Sequence, residues 1–180
     1  MNLSNQILIS LPDMKDPRFH QTVILICEHD SNGAMGLVLN KTTELNTQQI
    51  FSDLSFANPL DNQTVISGGP LNQDCGFVIH NNEHLFNSSL KISDQLTLTT
   101  SKDILEDIST NQLKCNWKFI LGYSGWSANQ LESEIQLNAW LICPLDLKLI
   151  FNCRPETMWS QAMKLIGIDD VNSISEVGHA

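Results

Sequence analysis

The sequence predicts an α+β fold with a mostly antiparallel sheet, on three observations. Strand-like runs outnumber helical ones. Neighbouring runs are joined by short clusters of turn formers rather than by crossover helices. The composition, 42% hydrophobic and 17% charged over 180 residues, is that of an ordinary globular chain able to bury roughly 70% of its unfolded surface. No repeat, low-complexity tract or Pro/Ser-rich linker interrupts it, so a single domain over residues 1–180 is expected.

The elements follow in order. Ile7 to Leu11 is a short apolar strand stopped by Pro12, with a loop through Asp16-Pro17 behind it. Thr22 to His29 and Ala34 to Asn40 flank the turn formers Asp30-Ser31-Asn32-Gly33 and read as a β-hairpin. Both runs are almost continuously apolar rather than alternating, which places the hairpin centrally in a sheet covered on both faces. Thr47 to Leu54 carries Ile50, Phe51 and Leu54 at helical spacing. Thr64 to Ser67 is a strand leading into Gly68-Gly69-Pro70.

Gly76 to His80 and Glu83 to Phe86, separated by Asn81-Asn82, read as a second hairpin, because Asn tolerates the left-handed backbone of a tight turn. Gln95 to Thr99 alternates Leu and Thr as a strand. Thr100 with Asp103 resembles a capping box for a helix buried through Ile104, Leu105 and Ile108 and ending near Asn111. Trp117 to Gly122 is strand-like. Ser127 with Gln130 forms a further capping box, before a helix whose apolar face is Ala128, Leu131 and Ile135. Ala139 to Cys143 and Leu147 to Phe151 read as strands on either side of Pro144. Pro155 opens a last helix with Met158, Trp159, Ala162, Leu165 and Ile166 on one face and Gly167 at its end. The polar tail from Asp169 to Ala180 is expected to be loosely held.

Charge excludes several partners. Twenty acidic and ten basic residues give a formal charge of -10, and the excess is acidic in both halves. The bases are scattered, the nearest pairs being Lys15/Arg18 and Lys114/Lys118, so no cluster can neutralise phosphates. Direct nucleic-acid binding and adhesion to an anionic membrane are both disfavoured. No run approaches the ~18 consecutive apolar residues of a membrane span, and the first residues lack the positive and apolar regions of a signal peptide. Five cysteines without any C-x-x-C then read as free thiols in a reducing cytoplasm.

The chemical motifs mostly fail on context. His80-Asn81-Asn82-Glu83-His84 matches H-x-x-E-H, which binds zinc only when both His share a helix face, whereas here it spans a turn. Cys27 and His29 alternate onto one strand face without further ligands, and Asp13 with Asp16 lacks the extra oxygens a hard cation needs. No metal and no cofactor are therefore expected. Gly122-Tyr123-Ser124-Gly125-Trp126 has its glycine one residue early for a nucleophile elbow. Gly68-Gly69-Pro70 could form an anion nest, but no P-loop lysine follows, and a structural turn is the simpler reading. Glu132 and Glu134 point about 200° apart on a helix and cannot flank one bond.

Taken in order, the landmarks resemble the YqgE/AlgH family, bacterial proteins of uncertain function with some plant relatives. They include Ile9-Ser10-Leu11-Pro12, Asp16-Pro17-Arg18-Phe19, Glu28-His29, Gly33 to Asn40, Gly68-Gly69-Pro70 and Gly76 to His80. Further on stand Leu121 to Trp126, Gln130 to Ile135, Asn138-Ala139-Trp140-Leu141, Trp159, Gly167-Ile168-Asp169 and Gly178-His179-Ala180. Two positions depart: Ser10 where Ala is usual, and Asn129 where Gly often stands. The resemblance implies a sheet bent into a pseudo-barrel and flanked by helices, no established active site, and, through the AlgH name, a regulator of exopolysaccharide (alginate) gene expression, acting indirectly.

The function expected is that of a cytosolic, non-enzymatic binding or regulatory protein, acting through an unknown partner protein or a small anionic ligand. Its surface is expected around Gly68, Gly69, His80, Trp126, Ser127 and Gln130. The helix start after Trp126 is the favoured place for an anion, in competition with a cap satisfied by Ser127 and Gln130. The alternative is an unrecognised enzyme using His29 or His80 as acid or base. The oligomeric state cannot be read from the sequence. Charge alone yields one test: in a gel-shift titration at physiological salt the isolated protein is expected to leave duplex DNA unshifted, and salt-resistant, sequence-selective binding would refute the electrostatic argument.

Overall fold

The computed structural model describes residues 2–81 and 84–169. The chain opens with β1 (Gln6–Ser10), a 3-10 turn at Pro17–Phe19, β2 (Val23–Asp30), β3 (Gly33–Val38) and β4 (Thr42–Asn46). Helix α1 (Thr47–Asp53) precedes β5 (Thr64–Ser67), β6 (Leu71–His80), β7 (Ser89–Ser93) and β8 (Leu96–Thr99). Then come α2 (Asp103–Ser109), β9 (Trp117–Ser127), α3 (Gln130–Gln136), β10 (Trp140–Pro144), α4 (Leu147–Asn152) and α5 (Pro155–Leu165). None of the described helices is long and apolar enough to cross a membrane. The chain is α+β as expected, and within its two compact units every described strand pairing but β5 with β9 is antiparallel.

The first unit comprises residues 1–40 and 125–180. Its sheet runs β10-β1-β2-β3, so the β2/β3 hairpin has β1 on one side, as its unbroken apolar sequence requires. Leu8, Ile24, Ile26 and Val38 form one face and pack with Trp126, Leu131 and Trp140. Alternation turns Ile7, Ile9, Val23 and Leu25 the other way, and these are also fully buried. Helix α5 packs on β1 and β2, and its Trp159 Nε1 donates 2.8 Å to the Ser10 carbonyl. The Ser10 hydroxyl accepts from the Thr22 amide at 2.7 Å. Gly167 ends α5 at φ +85°, its N–H and that of Ile168 returning to Lys164 and Met163.

The second unit comprises residues 41–124. Here β6 lies between β9 and β8, β8 pairs with β7, and β5 bridges β4 to β9. Helices α1 and α2 bring Phe51, Ile104, Leu105 and Ile108 onto Val65, Val78, Trp117 and Phe119. Asn46 caps α1 through a reciprocal pair with Gln49, accepting from its amide at 3.0 Å while the Asn46 amide donates to Gln49 Oε1 at 2.9 Å.

Four expectations are corrected. Leu147 to Phe151 is helix α4, because Asp146 accepts from the Leu149 amide at 2.7 Å and nucleates a turn; a five-residue run with four apolar positions does not distinguish the two periods. Residues 84–86 form no strand, and β6 instead pairs with β8 and β9. Asn82 and Glu83 of that expected hairpin, and the tail from Asp170, lie outside the described residues. Strand β9 continues five residues past Gly122, and α2 starts at Asp103 behind Lys102 without a side-chain cap. Strands β4 and β7 escaped the sequence reading because both are short, polar and mixed in exposure.

Gly33 shows how tightly the first unit is closed. It sits at φ +136°, and an added Cβ would overlap the Trp126 carbonyl oxygen. Gly33→Ala is therefore expected to cost about 3 kcal/mol or more in chemical denaturation, and a loss below about 1 kcal/mol would show that the two segments can separate freely.

Candidate ligand-binding site

The residues singled out from the sequence separate into packed structure and one polar chain. Gly68 and Gly69 are buried, and a Cβ on either would overlap the backbone of Gly122 or Tyr123. Ser124 Oγ donates 3.3 Å to the Gly68 carbonyl. The glycines thus let two backbones approach, and the space an anion would need is filled by protein. Trp126 is only 7% exposed and belongs to the core. Its Nε1 donates to Glu134 Oε2 at 2.9 Å, and the same oxygen accepts from Trp140 Nε1 at 2.8 Å. The indoles meet edge to face at 6.3 Å.

The approach to α3 is held by a short chain of side-chain bonds. The Ser127 amide donates to Gln130 Oε1 at 3.0 Å, and Gln130 Nε2 donates to Glu134 Oε1 at 2.9 Å. The helix begins only at Gln130, behind Asn129 at φ 61°, a left-handed position that suits Gly and is tolerated by Asn. That accounts for the expected helix entrance shifting from Ser127: of the expected capping box only the bond from the Ser127 amide to Gln130 is formed, and Asn129 makes no side-chain cap.

His29 is buried and doubly engaged. Its Nδ1 accepts from the Leu3 amide at 2.9 Å, so the ring proton sits on Nε2 and is donated to Glu132 Oε1 at 2.8 Å. Glu132 is held below the usual carboxylate range, first by its own backbone amide and then by His29. With its lone pair committed to Leu3, His29 is a tie for the amino-terminal segment rather than a base facing a substrate. The two glutamates of α3 serve separate partners, as their angular separation requires. Asp16 is likewise spent: Arg18 Nη2 stands 2.7 Å from its carboxylate, and this hydrogen-bonded pairing lowers the Asp16 pKa. Cys27 is buried, and burial, followed by the nearby Glu28 charge, pushes its thiol well up.

His80 is fully buried in the second unit. Its Nε2 lies 2.8 Å from Thr99 Oγ1, which lies 2.7 Å from Ser89 Oγ, and Ser89 Oγ accepts from the Phe86 amide at 2.9 Å. The rings of His80 and His84 both pack edge to face on Phe86, at 5.6 and 4.6 Å, and Glu83 of the H-x-x-E-H match lies outside the described residues. Among the described residues no group of three or more His, Cys, Asp and Glu could hold a metal ion.

Thr99 also lines a cavity of about 370 Å³ in the second unit. Val78, Ile104, Leu105 and Phe119 supply its buried apolar wall, and Gly76 leaves room for the Phe119 ring, whose tip would be 2.9 Å from an added Cβ. Leu45 and Leu54, 38% and 39% exposed, stand at its mouth with Asp53, Asp74 and Lys102. An apolar hollow of this size with a few polar groups at one end is the usual form of a small-molecule site. A second hollow of about 410 Å³ along α4 and α5, in the first unit, is more open and lined largely by polar residues such as Asp146, Lys148, Arg154 and Thr157.

The sequence placed Val78, Thr99 and Phe119 in strands and Ile104 and Leu105 on the buried stripe of a helix, but did not bring them together as one wall. Gly76 in a strand and the leucines Leu45 and Leu54 were the available signals. They come from distant parts of the chain, and only the fold gathers them.

Comparison with known proteins places the chain. The AlgH-like family matches residues 7–170. The chain belongs to the AlgH-like family. A UPF0301 protein of Aliivibrio fischeri is 41% identical over 187 residues, with 100% of both chains covered. One of Xylella fastidiosa is 42% identical over 183 residues, covering 100% of this chain and 97% of its own. The solution structure of the AlgH protein from Pseudomonas aeruginosa is similar at a TM-score of 0.82 and 36% identity, over 100% of this chain and 97% of that one. A Corynebacterium diphtheriae protein, at 19% identity and a TM-score of 0.70 over 89% and 85%, shares the fold.

For this AlgH-like chain, the Glu134 clamp gives a direct test. Trp126→Ala is expected to cost about 3 to 5 kcal/mol by removing a buried indole. Glu134→Leu is expected to cost about 2 to 4 kcal/mol by stranding two indole N–H groups. Denaturant unfolding measures both, and a near-neutral Trp126→Ala would show that Trp126 is a surface residue after all.

Proposed function

We propose that this AlgH-like chain is a cytosolic, non-enzymatic binding or regulatory protein whose small ligand enters the cavity of the second unit. The observation that carries the reading is that the cavity offers buried apolar surface from Val78, Ile104, Leu105 and Phe119. Such a wall binds by removing ligand surface from water and activates nothing. The resemblance to AlgH-type regulators adds the regulatory half, and the charge of -10 favours an indirect route through a partner protein over contact with DNA. An anionic ligand at Gly68 or Gly69 gains no support, since the space beside them is filled by backbone, and the seven-residue α3 is too short to carry an anion site by itself.

One observation favours the enzymatic alternative. Thr99 both lines the cavity and holds its hydroxyl 2.8 Å from His80 Nε2, the spacing of a nucleophile and its base. Electrophilic probes separate the two readings. A β-lactone or fluorophosphonate is expected to leave the intact mass unchanged, whereas an adduct on Thr99 that disappears in His80→Gln would establish the enzyme.

The binding reading is tested by protein-observed NMR with apolar fragments of six to twelve heavy atoms. Binders are expected to shift Val78, Thr99 and Leu121, and Leu121→Trp, which fills the cavity, is expected to abolish the shifts while the remaining spectrum stays folded. Failure of every fragment, or shifts confined to other surfaces, would overturn it.

A further inference from the structure

The mouth of the second-unit cavity carries an unbalanced set of charges. Asp53 and Asp74 face it with Lys102 as the lone cation of the lining, and all three side chains are exposed. Among the described residues, none of the three is engaged in an ion pair or a side-chain hydrogen bond, whereas Ser101, one of the uncharged polar residues of the lining with Gln73, Thr99 and Thr100, is spent on Asp103 and the Ser88 amide. Behind the charges the buried lining is the apolar wall and Thr99, whose hydroxyl is already committed to His80 and Ser89, while the uncharged polar Gln73 and Thr100 are exposed. A ligand that fits must therefore bury an apolar body inward and leave its charge at the rim.

We propose that the cavity selects an amphiphile with an apolar body and a protonated amine head. This rests on the ligand-binding reading above and specifies its chemical class. Two carboxylates against one ammonium favour a cation at the mouth, and the surrounding chain, with an excess of ten negative charges, reinforces the sign. An alkylamine, titrating at roughly 10 like a lysine, is charged at neutral pH. The head remains hydrated between exposed carboxylates, so no charge is buried, and the contribution of each rim residue is modest and screened by salt.

A matched series tests the class: 4-phenylbutylamine, 4-phenylbutanol and 4-phenylbutyrate, titrated into the full chain at low and physiological salt, with NMR shifts at Val78, Thr99 and Leu121 as the readout. The amine is expected to bind most tightly and the carboxylate most weakly, the difference shrinking as salt rises. Asp53→Asn and Asp74→Asn are each expected to weaken the amine by roughly two- to five-fold. Lys102→Met is expected to tighten it by a similar factor and to leave the alcohol unchanged. These positions are exposed, so the variants are expected to fold, and their spectra check it. If the alcohol or the carboxylate binds as tightly as the amine, or if the Asp and Lys variants move the affinity in the same direction, the amine class is wrong and the cavity remains a site of another kind. If none of the three shifts the cavity residues, the ligand-binding reading falls with it.

Discussion

From Val23 to Cys27 strand β2 presents no side chain to water, and a strand apolar on both faces has to be covered on both. The architecture of the first unit follows from that constraint. Strand β1, itself buried from Ile7 to Ser10, takes one edge, and β3 takes the other. Trp126, Leu131 and Trp140 close the face of Leu8 and Ile24, and α5 is drawn onto β1 and β2. Each of those coverings brings a polar group inside with it. The indoles of Trp126 and Trp140 share Glu134, that of Trp159 finds the Ser10 carbonyl, and His29 joins Leu3 to Glu132. An unpaired buried donor costs as much as several favourable contacts contribute, so the polar partners are as much a part of the covering as the leucines.

This explains why the signals most suggestive of chemistry in the sequence turn out to hold the fold together. A histidine on a strand, two glutamates on one helix, a Gly-Gly-Pro turn and a tryptophan beside a helix start are all groups that catalysts use. In this chain the histidine, the glutamates and the tryptophan stand where the double-faced sheet of the first unit meets its coverings, and the glycines stand where two backbones of the second unit meet. Gly68 and Gly69 are small because the Gly122 to Ser124 backbone occupies the space beside them. His29 is oriented because a backbone N–H holds one nitrogen and a carboxylate the other.

The second unit is built with less insistence on complete covering. Its core is contributed by two seven-residue helices on a sheet, and α1 ends beside exposed Leu54. Such short helices cannot roof the whole sheet, and the uncovered part is the cavity between Val78, Phe119 and the two helices. The charges around its mouth belong to residues with no structural partner among those described, in contrast to Glu132 and Glu134. The hollow of the second unit differs from the more open one along α4 and α5 in its buried apolar wall, and that wall is what a ligand can use.

The sequence alone determined what depends on local chemistry and on sums over the chain. The β2/β3 hairpin, α1, α5 with its Pro start and Gly end, the α+β class, the acidic charge and the family resemblance were all legible, because turn formers, caps and net charge act at short range or additively. Helix α4 was also written locally, in the Asp146 cap, but a five-residue run with Lys148 among four apolar residues masked its period; tertiary structure decided that β6 pairs with β8 and β9 rather than with residues 84–86. It also decided the site. Leu45, Gly76, Thr99 and Phe119 lie far apart along the chain, and a cavity is the space left where packing stops, a property of how elements meet that no single segment encodes.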